Sequence, residues 1–129
     1  MLMTKEHLAR VARNLKKAIE ANDLLTDTAG KVGNAYGDEV DDSHAGEEYV
    51  SIDRHPARPA YLIDYFRRSG QTPIRLIVSG DSVKIALTCT DALPGYEVFD
   101  DDQDLGKMQD RRVPADQLMA ELENLSKLA

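Results

Sequence analysis

This chain of 129 residues has one cysteine, no tryptophan and few aromatic residues. A lone Cys89 cannot close an internal bridge, so a small disulfide-stapled fold is excluded. It lies on an apolar strand-like face with no cation nearby to lower its pKa, and reads as a small core hydrophobe. No apolar run approaches the ~20 residues of a membrane-spanning helix. Met1-Leu2-Met3 lacks the basic flank and long apolar core of a signal peptide, so a cytoplasmic protein with no membrane partner is expected.

Chemical motifs are equally scarce. His7, His44 and His55 lie far apart, without metal-ligand spacing to Cys89 or to each other. Gly30-Lys31 ends like a phosphate loop, but the first glycine is missing and Val32 stands where Ser or Thr is needed. Asp100, Asp102 and Asp104 have the one-three-five spacing of a calcium loop. The turn glycine is displaced to Gly106, and Arg111 occupies the place of the bidentate glutamate. Asp53 and His55 have no serine set on a strained turn beside them. Carboxylates are too plentiful for any pair to mark acid–base chemistry. No catalytic residue, metal or cofactor is therefore expected, and the chain is read as not an enzyme.

What is present suffices for one folded domain spanning 1–129. The chain is 42% hydrophobic and 30% charged, which separates it from disordered sequences. Its best-determined stretch is Ile74–Cys89. Ile74, Leu76 and Val78 alternate on one strand, and Val83, Ile85, Leu87 and Cys89 on the next. Gly80-Asp81 between them fits a two-residue hairpin turn. That turn fixes a register of Val78 with Val83, Leu76 with Ile85, and Ile74 with Leu87. A slip of one residue would break all three apolar pairs.

The remaining elements are placed around this hairpin. Leu8, Val11, Leu15, Ala18 and Ile19 make a helical stripe, predicting a helix over Lys5–Asn22 with Thr4 as its N-cap. Residues 23–48 read as a long acidic loop, and Tyr49–Ile52 as a short strand. Pro59, Leu62, Ile63 and Phe66 recur at helical spacing, predicting a helix over Pro59–Ser69 capped by Gly70. Tyr96–Phe99 would be a fourth strand beside the third, followed by an acidic loop to Arg112 and a last helix from Pro114 to about Lys127. The order α-β-α-β-β-β-α predicts a small two-layer α+β domain, with helices on one face of a mostly antiparallel sheet of four strands.

The net charge of −7 is unevenly spread. The first helix is basic. Asp38, Glu39, Asp41, Asp42, Glu47 and Glu48 form one acidic cluster, and Asp100, Asp101, Asp102 and Asp104 a second. On the predicted second helix, Arg58, Tyr61, Tyr65 and Arg68 would share a face opposite the apolar stripe. Three uses follow. The leading one is a noncatalytic protein-binding module, an inhibitor or immunity-type protein of phage or bacterial kind. Its acidic clusters would dock on a basic, nucleic-acid-binding surface of a protein partner. It would act as a monomer or homodimer and bind no nucleic acid itself. The second is a binder of nucleic acid or another anionic ligand through the Arg/Tyr face, against which the overall acidity argues. The third is a small enzyme without a recognisable motif.

Overall fold

Helix α1 forms over Lys5–Asn22, the span its stripe predicts. The Thr4 side chain accepts a hydrogen bond from the His7 backbone N–H at 3.3 Å and caps the start. Asp23, in the left-handed region at φ 53°, ends the helix. The computed structural model describes residues 3–25, 38–44, 48–54, 60–67, 70–102 and 106–128, with 38–44 and 100–102 described through their backbone. Seven strands follow α1: β1 (Asp38–His44), β2 (Glu48–Arg54), β3 (Tyr61–Arg67), β4 (Ile74–Ser79), β5 (Ser82–Cys89), β6 (Glu97–Asp102) and β7 (Gly106–Pro114). A 3-10 turn at Ala115–Gln117 then leads into α2 (Leu118–Leu125).

All seven strands join one sheet in the order β1-β2-β3-β4-β5-β7-β6, and every neighbouring pair is antiparallel. The α+β class stands, with three more strands and one helix fewer than expected among the described residues. The hairpin register is the expected one: Val78 pairs with Val83, Leu76 with Ile85, and Ile74 with Leu87. Gly80 supplies the positive φ of its turn, at 57°.

The inner face of the sheet carries Val50, Ile63, Leu76 and Ile85. They are fully buried with Leu8, Val11 and Leu15 of α1 and Leu118 and Leu122 of α2. Cys89, fully buried, belongs to this core. The two helices pack against each other across it.

Three expectations need correction. The second helix is strand β3 over its described part. Tyr61, Ile63 and Tyr65 face inward, while Leu62 and Asp64 point outward yet are buried too. With apolar residues on both faces, the period of two is masked and a helical spacing emerges by coincidence. The acidic stretch read as a loop contains β1, which pairs with β2. The expected pairing of Tyr96–Phe99 with the third strand is also replaced. The stretch read as the loop after it contains β7, which takes the place beside β5 and leaves β6 outside.

That insertion makes residues 90–96 cross the inner side of β7. Gln109, 1% exposed on β7, secures the crossing. Its amide oxygen accepts from Leu93 N–H at 2.7 Å, and its amide nitrogen donates to the Asp91 carbonyl at 2.9 Å. At the start of β7 the main chains touch closely. Gly106 has φ +102°, and a Cβ there would lie 2.4 Å from the Cys89 carbonyl oxygen and 2.8 Å from Thr90 N. The backbone conformation alone costs any other residue about 1–3 kcal/mol. The clash is with main chain, which cannot swing aside, so Gly106→Ala should lose at least about 2 kcal/mol in a urea melt. A loss under about 0.5 kcal/mol would contradict this approach of β5 and β7.

Candidate functional site

The outer face of the sheet carries no helix among the described residues, and its surface is mixed. Tyr49 and Phe66 stack across β2 and β3 with centroids 5.1 Å apart. Asp64, 3% exposed, accepts two hydrogen bonds from the Arg75 guanidinium at 2.8 and 3.1 Å. Burial pushes the Asp64 carboxyl above its usual range, and Arg75 partly offsets that. Towards the β6 edge the surface opens into a groove of about 330 Å³. Ile77, Ala86, Thr88, Met108 and Phe99 line it, with Arg75, Lys84 and Asp110 at its sides.

Phe99 owes its place to a backbone irregularity. Val98 pairs with Gln109 and Asp100 with Met108, so Phe99 is the extra residue of a bulge. Bulges redirect side chains and interrupt edge pairing. Lys84 Nζ sits 5.8 Å from the centre of the Phe99 ring and 2.9 Å from Asp110 Oδ2. The described residues include three large exposed hydrophobics, Val98, Phe99 and Met108, and all lie on β6 and β7. Thr88, 8% exposed, has a hydroxyl with no hydrogen-bond partner.

The acidic clusters separate into different roles. Asp38, Glu39, Asp41 and Asp42 belong to β1, and Asp100, Asp101 and Asp102 to β6. These are the two edge strands of the sheet. Both are irregular, with register shifts between Glu39 and His44 and between Val98 and Asp100. Glu47 and Asp104 lie outside the described residues. Glu48 is not a surface contact, which corrects its place in the expected docking set. It is 7% exposed and clasped between α1 and the sheet. Arg10 Nη1 and Nη2 donate to its two oxygens at 2.7 and 2.6 Å, and the Tyr65 hydroxyl donates to the first of these oxygens. Asn14 in turn donates to the Tyr65 hydroxyl at 3.1 Å.

The segment expected to carry the Arg/Tyr helix face is a strand over its described part, Tyr61–Arg67. Tyr65 is fully buried with Glu48, and Tyr61 packs at the margin of the core. Arg58 and Arg68 lie outside the described residues, as does His55. Among the described residues, no group of three or more His, Cys, Asp or Glu side chains could hold a metal ion. No described helix is long and apolar enough to cross a membrane. No protein-family model, curated protein or solved structure matches the chain. Sequence reasoning missed the groove, since Lys84, Phe99 and Met108 come together only once β7 inserts beside β5. The doublet Val98-Phe99 inside an acidic run was the available signal.

Proposed function

We propose that this protein is a noncatalytic protein-binding module that accepts a basic segment of a partner protein along an acidic sheet edge. One observation carries the reading: Asp38, Glu39, Asp41 and Asp42 of one expected cluster and Asp100, Asp101 and Asp102 of the other fall on edge strands, at opposite sides of a single sheet. An edge strand presents unpaired backbone donors and acceptors to any extended segment. Acidic residues there repel a second copy in every edge-to-edge arrangement, since β1 and β6 are both acidic. They attract a basic strand. Charge and bulges on an edge also guard against aggregation, and that protective role is compatible with selecting a basic partner.

The partner that fits is a protein with a basic surface of the kind that binds nucleic acid. Occupying such a surface would make this chain an inhibitor or immunity-type protein. The two edges lie about 29 Å apart, six inter-strand steps of ~4.8 Å in a sheet of seven strands. That exceeds the Debye length of ~10 Å at 0.1 M salt, so the edges act independently.

Independence makes the reading testable without the natural partner. In D100K/D101K/D102K, the β6 edge becomes basic while β1 stays acidic. This variant should self-associate head to tail at low salt, β6 of one copy against β1 of the next, and fall apart as salt rises. Reversing Asp38, Glu39, Asp41 and Asp42 to Lys as well should restore the monomer. Sedimentation velocity reads all three states. A triple variant that stays monomeric at low salt would show that the edges do not accept a basic strand.

A further inference from the structure

We infer that the middle of strand β6, Glu97–Asp100, opens away from β7 while both ends of the strand stay fixed, so that this edge of the sheet works as a strap. The inference stands on the sheet itself and does not require the docking reading.

The ends are held from the core side. Before β6 the chain is fastened twice. Gln109 accepts from Leu93 N–H at 2.7 Å, and the Tyr96 hydroxyl donates to Glu121 of α2 at 2.8 Å. Tyr96 also packs against the core. After β6, Gly106 sits against the main chain of Cys89 and Thr90. Asp101 stands opposite Lys107 beside that anchor, an opposite-charge pair across the ladder.

The middle is held by much less. Strand β6 has a neighbour on one side only. Phe99 has no partner across the ladder, because Val98 pairs with Gln109 and Asp100 with Met108. A bulge leaves its extra residue unpaired and disrupts the ladder locally. Glu97 faces Asp110, and like charges directly opposite repel. Burial adds little, since Val98 is 41% and Phe99 55% exposed. Phe99 borders two concavities of about 530 and 330 Å³ on the outer face, so its ring is not packed from beneath. Lys84 Nζ, 5.8 Å from the centre of that ring, is bound to Asp110 at 2.9 Å.

Strand β7 is held differently. It pairs with β5 over eight consecutive residues, Ser82–Cys89, without a shift. Local opening occurs where buried apolar contacts are few and backbone hydrogen bonds are exposed. The separation therefore falls between β6 and β7, and β7 stays on β5. A strand that merely frays loosens at an end first. Here the ends are pinned and the bulge lies between them, so the order is reversed. Opening leaves Met108–Asp110 of β7 unpaired on that side, with Lys107 before it and Arg111 and Arg112 after it. The edge thus changes sign locally, from acidic when closed to basic when open.

Relaxation-dispersion NMR on the full chain reads populated openings, and native-state hydrogen exchange in low urea reads rarer ones. The amides of Val98, Phe99 and Asp100 should share one opening process, with Tyr96 and Gly106 outside it. Glu97→Lys turns the repulsion across from Asp110 into attraction and should lower the open population about two- to tenfold. Tyr96→Phe removes the hydroxyl anchor and should carry the opening back to Gly95. Exchange that rises steadily towards either end of β6 would show ordinary fraying and overturn the strap. Hydrogen-bonded amides of Val98–Asp100 and Met108–Asp110 that exchange only by global unfolding would overturn the opening itself.

Discussion

Glu48→Ala should destabilise the protein by about 3 kcal/mol, near the lower end of the range for breaking a buried ion pair. Glu48 is where helix α1 is tied to the sheet. Its oxygens receive Arg10 from the helix and Tyr65 from β3, and Arg67 lies 3.9 Å away. Truncation leaves two arginines and a buried hydroxyl facing an empty position. The Arg10 side chain is 42% exposed and can return partly to water, which keeps the loss at the low end. The same residue gives stability a pH dependence. Burial alone would raise the Glu48 pKa. Hydrogen bonds from Arg10 and Tyr65, aided by the charges of Arg10 and Arg67, reverse this and hold it below the ordinary glutamate value.

A depressed carboxylate stabilises the fold above its unfolded pKa, about 4.3, and that contribution is lost as pH falls through the folded value. Asp64 has the opposite sign. Its folded pKa is raised, so the fold binds that proton more readily than the unfolded chain, and acidification relieves a cost. Urea melts from pH 7 to pH 3 should therefore show the wild type losing stability faster than Glu48→Ala, whose curve should be flatter. Parallel curves would place the acid sensitivity elsewhere.

Leu76→Ala and Ile85→Ala should each cost about 2–5 kcal/mol, the range for truncating a fully buried aliphatic side chain. The two residues are register partners at the middle of the sheet, and both have no exposed surface. Leu76 also pairs with Ile63 on the other side, so its removal opens a void bounded by three strands. Because the pair shares one space, the double variant should cost less than the sum of the single ones. Losses below about 1 kcal/mol for each would show that the hairpin does not hold the core in this register.

The central hairpin and the first helix were legible because each obeys one period. In Ile74–Cys89 apolar residues alternate around a glycine turn, and in Lys5–Asn22 they recur every three or four residues behind a threonine cap. Strand β3 was misread because Leu62 and Phe66 occupy its outer face, and apolar residues on both faces erase the alternation. Strand β7 was invisible for a different reason. Its inward positions include Gln109 and Arg111, polar residues that satisfy partners far along the chain. Gln109 holds the crossing loop, and Arg111 donates to Glu121 of α2 at 3.2 Å. No local pattern encodes such pairings. The acidic clusters were located correctly as charge but not as structure, because Asp and Glu are poor strand formers whose presence at an edge reflects pairing on one side only.

Helix α1 and helix α2 meet although they come from opposite ends of the described chain. Arg13 donates to the Ser126 carbonyl at 3.3 Å, and Lys16 lies 3.8 Å from Glu123. This gives assembly a sequence in time. Each strand from β2 to β5 can pair with its predecessor as it emerges, because their order in the sheet is their order in the chain. Such neighbour contacts close short loops and form early. Helix α1 precedes the strands in the chain, and one of its two supports, α2, follows them. Until then one side of the α1 apolar stripe remains uncovered. Between the emergence of α1 and that of α2 the nascent chain holds an amphipathic helix without one of its two supports, the interval in which a chaperone would find it.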